Sequence, residues 1–190
     1  MGVISVSTDC DHDVAGILSA AFADDPVMAW VSDKPEFVPT LFHMALPAFI
    51  RHGLTYVEAQ GRGAASWLGP GAKVKWPYLR FLTFLRVCGI PGVYRLLLSG
   101  AKIDKYHPRD PHYYLFAIGA PPAHQGQGVG SLLIAEMLRR CDREQVPAYL
   151  ENSKEANLAF YQGHGFEVIR QIRFAKDAPP LWMMWREPRQ

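Results

Sequence analysis

The segment "HQGQGVGS", residues 124–131, places three glycines in five positions. It follows an apolar run typical of a strand (residues 113–118) and precedes a Leu-rich run typical of a helix (residues 131–141). Glycine loses more conformational freedom on folding than any other residue, so this density weakens regular structure unless the backbone must turn sharply or approach a ligand closely. The segment is therefore either a phosphate-binding loop or a plain turn that caps the following helix.

Three phosphate-binding loops can be compared with this segment. A Walker loop needs a lysine at the phosphates, and the chain has no lysine between Lys105 and Lys154. A dinucleotide fingerprint needs its third glycine at the position of Ser131, where Gly130 comes one residue too early, although Glu151 is a possible ribose partner.

The third loop, Gln/Arg-x-x-Gly-x-Gly/Ala, binds a pyrophosphate. It is matched at every defined position by consecutive residues, namely Gln125, Gly126, Gln127, Gly128, Val129 and Gly130. N–H groups at a helix N-terminus point outward with the positive end of the helix dipole and can hold a diphosphate. The sequence therefore favours this loop over the other two and leaves the plain turn open.

The composition narrows the class of protein. A length of 190 residues predicts a single domain over 1–190, and a net charge of +2 gives no reason to expect a nucleic-acid partner. The three cysteines, Cys10, Cys88 and Cys141, are widely spaced and contain no C-x-x-C pair, which argues against a disulfide framework or a zinc site. We expect no metal and a reducing, cytoplasmic environment.

No targeting or membrane segment is predicted. The first residues have neither the basic nor the apolar region of a signal peptide. The most apolar stretch, residues 81–98, is interrupted by Arg86, Pro91 and Arg95. We therefore expect a soluble protein that makes no membrane contact.

Hydrophobic periodicity predicts alternating helices and strands. Predicted strands cover 3–6, 54–59, 64–68, 113–118, 148–151, 166–174 and 181–186. Predicted helices cover 11–22 (capped by Asp11 or Thr8), 37–52 (kinked at Pro47), 76–99 (broken at 89–92), 131–141 and 155–164. This order indicates an α/β or α+β domain in which strands 113–118 and 148–151 are parallel across a helical crossover.

A second motif follows the glycine-rich loop, and its sequence is "NLAFYQGHGF", residues 157–166. With the loop, it resembles the GNAT superfamily of acetyl-CoA-dependent N-acetyltransferases, whose hallmark is N-x-x-(F/Y)-Y-x-x-x-G-F after Q-x-x-G-x-G. Three longer stretches resemble the puromycin N-acetyltransferase branch, namely "YYLFAIGAPPAHQGQGVGSLL", "VPAYLENSKEANLAFYQGHGFEV" and "PPLWMMWREP", and "AFADDP" at 21–26 resembles it too. The motif-bearing resemblance covers about residues 112–188, with weaker support from 3–30.

The resemblance implies a mixed sheet of about six to seven strands flanked by helices, with a helical insert around 76–99. It also implies acetyl-CoA as the acyl donor. The backbone around Gly119, at Ile118 and Ala120, would pair with the pantetheine arm, residues 125–130 would surround the pyrophosphate, and Ser131 could add a hydroxyl. Ala120 departs from the β-branched residue usual in the family, and Pro121 offers no N–H.

The resemblance also assigns roles in the second motif. Asn157 and Tyr161 are four residues apart and share a helical face beside Phe160. The resemblance implies that Asn157 holds the cofactor or a water and that the Tyr161 hydroxyl protonates the departing thiolate. A tyrosine, with a reference pKa of about 10, remains protonated at neutral pH. The alternative is that Tyr161 is only a core aromatic.

The reaction implied is direct attack by an amine on the thioester, which requires a general base. Glu151 matches the glutamate of an "LE(T/N)S" segment and is our first candidate, against the alternative of a solvated or salt-bridged carboxylate. His112 is the second candidate. His124 is expected to face solvent or phosphate.

The substrate side is less defined. Residues 73–109 carry eight basic side chains and several aromatic ones, which form either an aromatic-lined lid or helices packed on the sheet. The basic residues are Lys73, Lys75, Arg80, Arg86, Arg95, Lys102, Lys105 and Arg109, and the aromatic residues include Trp76, Tyr78, Phe81, Phe84 and Tyr94. The sequence predicts a small-molecule amine as acceptor and a monomer or homodimer. It leaves open a protein or peptide acceptor, a longer acyl group, and a non-catalytic acyl-CoA-binding domain.

Overall fold

The computed structural model describes residues 2–6, 13–74 and 81–190. Its strands are β1 (Val3–Ser5), β2 (Thr55–Glu58), β3 (Ala64–Leu68), β4 (Tyr113–Gly119), β5 (Ala148–Asn152), β6 (Glu167–Arg173) and β7 (Pro180–Arg186). Its helices are α1 (Val14–Ala21), α2 (Pro26–Val31), α3 (Phe37–Ile50), α4 (Phe81–Tyr106), α5 (Val129–Glu144) and α6 (Leu158–Gly163).

The strands of the described ranges form one seven-stranded sheet in the order β1-β2-β3-β4-β5-β7-β6. All neighbouring pairs are antiparallel except β4 and β5, which are parallel. A parallel pair needs a crossover connection, and α5 provides it. The predicted fold class, the mixed sheet and the parallel pair are confirmed.

The two parallel strands pair over only part of their length. Pairing begins at Tyr113 with Ala148 and continues to Leu115 with Leu150. Beyond that point β4 stays paired with β3 as far as Gly119, whereas β5 stays paired with β7 as far as Asn152. The two strands therefore separate after their third residue pair and leave a gap in the middle of the sheet.

Apolar side chains cover both faces of the sheet. On one face, Leu133 and Met137 of α5 pack with Trp67 and Leu150 in the largest buried cluster. On the other face, α1 and α3 bury Leu18, Phe42 and Leu46 against Val57. The three- and four-residue spacing of these apolar positions is what makes the helices amphipathic and holds them on the sheet.

Three predicted boundaries in the N-terminal part need correction. Helix α1 begins at Val14, and Asp13 caps it by accepting a hydrogen bond from the Gly16 N–H at 2.8 Å. The predicted caps, Thr8 and Asp11, lie outside the described residues. Helix α3 continues through Pro47 and ends at Ile50.

Two helices, α2 and α5, differ from the prediction in their presence or in their first residue. Helix α2 was not predicted, because six residues are too few to show helical periodicity. Helix α5 begins at Val129, two residues before the predicted start at Ser131. The glycine-rich loop therefore runs directly into its first turn.

The described part of the predicted helical insert, residues 81–99, lies in α4, which continues beyond the predicted end to Tyr106. Residues 75–80, which include Lys75, Trp76, Tyr78 and Arg80, lie outside the described residues. Within α4, Gly89 has a φ of 67° and interrupts the helix inside the predicted break at 89–92. By length and composition alone, the segment Leu82–Tyr106 could cross a membrane, and a single helix of this kind is weak evidence for a span.

Helix α4 packs against α2 and α3. Phe84 and Val93 are buried in a cluster with Phe37, and Arg95 donates a hydrogen bond to the Trp30 carbonyl at 2.7 Å. Tyr94 is exposed on the opposite side. These contacts favour the packed-helix interpretation of this segment over an aromatic-lined lid.

Candidate active site

A cleft of about 470 Å³ opens where β4 and β5 separate. All but one of the predicted cofactor-binding residues line it, together with Glu151, the first candidate for the base: Ile118, Gly119, Ala120, Gln125, Gly126, Gly128, Val129, Gly130, Ser131, Asn157, Phe160 and Tyr161. The exception is Gln127, whose side-chain amide donates a hydrogen bond to the Ala123 carbonyl at 3.0 Å. Gln127 therefore stabilises the loop from within rather than lining the cleft.

Two glycines give the loop its open backbone. Gly126 and Gly128 have φ values of 72° and 77°, which side-chain-bearing residues rarely adopt. A Cβ added at either position would meet no atom within 4 Å, so each glycine borders open space. Gly128 is also the N-cap of α5, whose first-turn N–H groups have no acceptor within the helix. The loop thus offers free donors and room for an anion.

The third glycine of the loop, Gly130, is needed for a different reason, which is close packing. A Cβ at Gly130 would lie 3.3 Å from the ring of Phe160, which is a tight contact. Gly130 therefore allows α6 to approach the first turn of α5. Ser131 lies in the same turn, and its hydroxyl is 3.2 Å from His164 Nε2.

The edge of β4 forms one wall of the gap. Beyond Leu115 its peptide groups on the β5 side are released from the parallel ladder, and such groups can pair with an extended chain. At the end of the strand, the Ala120 carbonyl accepts a hydrogen bond from Gln125 Nε2 at 3.1 Å. One of the groups expected to pair with pantetheine is therefore already bonded, and Pro121 adds no donor.

Tyr161 lies at the cleft with its side chain buried. Its ring packs against Phe160 and Phe166, with centroids 5.1 and 6.1 Å apart. Burial, assisted by the negative charge of Asp25, raises the pKa of Tyr161 above its usual range. The hydroxyl is therefore protonated at neutral pH and can act as a proton donor, while the ring is also a core aromatic.

Asp25 lines the cleft, and no sequence motif indicated a role for it. It is 2% exposed, and its Oδ1 accepts hydrogen bonds from the N–H groups of Val27 at 2.9 Å and Met28 at 3.0 Å. Its Oδ2 accepts a hydrogen bond from the Ser153 hydroxyl, which also lines the cleft. The available signal was the pair Asp25-Pro26, because an N-cap aspartate followed by proline is a typical helix start.

Glu151 lies on β5 at the point where the strands diverge. Its side chain is 7% exposed, so the solvated alternative is wrong. Within the part of the chain that the structure describes, its Oε1 is buried without a hydrogen bond and lies 3.5 Å from His107 Nδ1. Burial, together with the Glu151 carboxylate, raises the pKa values of Tyr114 and Tyr149 above their usual range.

The histidines divide between two places. His124 lines the cleft beside the loop. His112 is buried outside the cleft lining, where burial lowers its pKa, and its Nε2 lies 3.1 Å from His107 Nε2. His107 was missed because it directly follows α4, outside both motifs in sequence.

The described residues contain no group of three or more His, Cys, Asp or Glu side chains placed to hold a metal ion. Cys88 and Cys141 are free thiols, and burial raises the pKa of each. Neither is therefore a thiolate at neutral pH, and neither lines the cleft.

Comparisons with known proteins agree with this geometry. Residues 97–166 match the model of the acetyltransferase (GNAT) family. An uncharacterised N-acetyltransferase of Schizosaccharomyces pombe is 29% identical over 201 residues, which cover 92% of this chain and 78% of the relative.

Two solved structures share the fold. The structure of a histone acetyltransferase HPA2 and related acetyltransferase from Corynebacterium glutamicum matches with a TM-score of 0.74 at 22% identity, over 99% of this chain and 96% of that one. The structure of arylalkylamine N-acetyltransferase 2 from Aedes aegypti matches with a TM-score of 0.64 at 13% identity, over 99% of both chains.

Proposed function

We propose that the chain is an acetyltransferase of the GNAT family and that it transfers an acetyl group from acetyl-CoA to a primary amine of a small molecule. The observation that carries the proposal is the cleft between β4 and β5, which has an open glycine-rich loop at one end. The same cleft contains a buried tyrosine, Tyr161, and a buried carboxylate, Glu151.

The cleft fits acetyl-CoA, which supplies an activated acyl thioester. The N–H groups in the first turn of α5 would bind the diphosphate in the open space beside Gly126 and Gly128, and Ser131 would add a hydroxyl. The released edge of β4 would pair with the amide groups of the pantetheine arm in the manner of a strand. Asn157 and Phe160 would contact the same molecule from α6 and the turn before it.

Two side chains would handle the protons of the transfer. An amine that arrives as ammonium must lose a proton before it attacks, and Glu151 is the buried carboxylate that lines the cleft. The sulfur that leaves must gain one, and the raised pKa of Tyr161 keeps its hydroxyl protonated for that purpose. Attack in a ternary complex needs no protein nucleophile, in agreement with the protonated state of both described thiols.

A small amine is the acceptor we favour, because one structural neighbour is an arylalkylamine N-acetyltransferase. A protein or peptide amine is the second candidate, because another neighbour is described as a histone acetyltransferase. The proposal includes membership of the puromycin N-acetyltransferase branch, which rests on the sequence motifs, and action in the cytoplasm as a monomer or homodimer.

The test is a screen of thiol release from acetyl-CoA against a library of small primary amines and a set of peptides with free lysines and N-termini. We expect release with at least one small amine and a monoacetylated product by mass spectrometry. Release with peptides alone would replace the small-molecule proposal by the second candidate. Calorimetric binding of acetyl-CoA without release for any amine would instead indicate a non-catalytic acyl-CoA-binding domain.

A further inference from the structure

Three titratable side chains from separate parts of the chain meet behind the cleft. His107 directly follows α4, His112 precedes β4, and Glu151 lies on β5. His107 lies between the other two, with its Nδ1 3.5 Å from Glu151 Oε1 and its Nε2 3.1 Å from His112 Nε2. The chain of contacts continues to the Asp110 carbonyl, 2.7 Å from His112 Nδ1.

The carbonyl at the end of this chain fixes the direction of every hydrogen bond in it. A carbonyl oxygen only accepts, so His112 Nδ1 carries a hydrogen. Burial lowers the pKa of His112, which is therefore neutral at neutral pH with a bare Nε2. His107 must then donate from its own Nε2 to His112 Nε2.

This direction leaves one proton to be shared between His107 and Glu151. With its hydrogen on Nε2, a neutral His107 presents the lone pair of Nδ1 to the carboxylate. A proton that reaches the Glu151 carboxyl group can pass across this contact to Nδ1. The geometry of the pair therefore allows His107 to receive a proton from Glu151.

The surroundings give that proton a route to solvent. Glu151 is 7% exposed, whereas the His107 side chain is 30% exposed. The rings of Tyr114 and Tyr149 pack edge-on against His107, and the ring of Trp185 packs edge-on against His112. The titratable and charged groups around the pair are Tyr114 of β4, Tyr149 of β5, His112, Asp104 on α4, and Arg170 of β6, which lies over the neighbouring Tyr106 ring.

We propose that His107 is the proton outlet of Glu151 and that His112 holds His107 in the tautomer this requires, an inference that rests on the proposed acetyl transfer. An ammonium acceptor loses two protons as the nitrogen–carbon bond forms and the carbon–sulfur bond breaks. One proton ends on the sulfur of CoA. The other passes from the amine to Glu151, then to His107 Nδ1, and leaves to solvent. His107 acts through Glu151 and is a positioning residue.

The tautomers can be measured without turnover. In the ¹⁵N-labelled full-length protein, long-range ¹H–¹⁵N spectra of the imidazole groups should show His112 protonated at Nδ1 and His107 protonated at Nε2. In His112→Asn, whose amide keeps the donor to Asp110 but offers no acceptor in place of Nε2, His107 should lose its single fixed tautomer. An unchanged His107 tautomer in this variant would overturn the role of His112.

The kinetic test uses His107→Gln, which keeps a donor toward His112 but cannot carry a proton onward. We expect kcat to fall about 10²-fold, the size of a typical general acid–base contribution, and the acidic limb of the kcat/KM pH profile to differ from that of the wild type. The dissociation constant of acetyl-CoA should stay unchanged, which shows that the variant is folded. His52→Gln, in the exposed turn that follows α3, is the matched control and should match the wild type.

The outcomes separate this inference from the proposed function. An active wild type whose kcat and pH profile are unaffected by His107→Gln would overturn the inference alone. A wild type that binds acetyl-CoA and acetylates no amine would overturn the proposed function together with it. Partial rescue of His107→Ala by added imidazole, expected because the position reaches solvent, would support the outlet directly.

Discussion

At the scale of single residues, the two interpretations of Tyr161, a core aromatic and a proton donor, are compatible. Its ring packs between Phe160 and Phe166, as a core aromatic does, and its hydroxyl has a raised pKa because it is buried near Asp25. The same burial that stabilises the fold keeps the proton on the oxygen. Packing and acid chemistry can therefore be separated only by a change that removes the hydroxyl and keeps the ring.

Tyr161→Phe is that change. We expect kcat to fall about 10²-fold, because the departing sulfur loses its proton donor, while the affinity for acetyl-CoA stays within about 2-fold of the wild type. Steady-state thiol release and calorimetry measure the two quantities. Tyr94→Phe, on the exposed side of α4, is the control and should not change either. An unchanged kcat in Tyr161→Phe would return the residue to a purely structural role.

At the scale of elements, the glycine-rich loop combines two requirements that the sequence shows as a single pattern. Gly126 and Gly128 satisfy a positive φ at the mouth of the cleft, whereas Gly130 permits the approach of Phe160. The motif was therefore sufficient to locate the loop. It could not distinguish the two glycines that border open space in the cleft from the one that allows Phe160 to approach.

Two glycines with the same φ allow backbone strain to be separated from ligand contact. Gly126 and Gly71 both have a φ of 72° and both border open space, but only Gly126 lines the cleft. Substitution of either by alanine should lower the free energy of unfolding by about 1 kcal/mol. Only Gly126→Ala should also weaken acetyl-CoA binding, by about 10-fold or more in calorimetry. Equal affinities in the two variants would contradict the anion site.

The elements that the sequence predicted are those with local signals. The strands β4 and β5 and the helix α5 follow from apolar periodicity, and their parallel pairing follows from the crossover. The separation of β4 from β5 after Leu150 is set by their outer partners, β3 and β7, and leaves no local pattern. His107 was missed for a similar reason, since only the tertiary fold brings it to Glu151.

At the scale of the whole molecule, the cleft draws on most of the chain. Asp25 comes from the start of α2, Ile118 from β4, Gly128 from the loop, Glu151 from β5 and Tyr161 from α6. The sheet gap exists because seven strands divide into two groups that share only three residue pairs of the parallel ladder. A ligand in this gap contacts both groups, so its binding energy adds to the cooperative stability of the domain.

The ligand should therefore raise the melting temperature of the entire domain. At a concentration about 100 times its dissociation constant, acetyl-CoA should stabilise the folded state by about 2.7 kcal/mol. For a domain of this size, that corresponds to a rise of about 5–10 °C in calorimetry or fluorescence melting. CoA should give a similar rise, because the loop and the β4 edge contact parts that both molecules share. Gly126→Ala should show about half of this rise or less at the same concentration, because a 10-fold loss of affinity leaves a stabilisation of about 1.4 kcal/mol. An equal rise in this variant would place the ligand away from the loop.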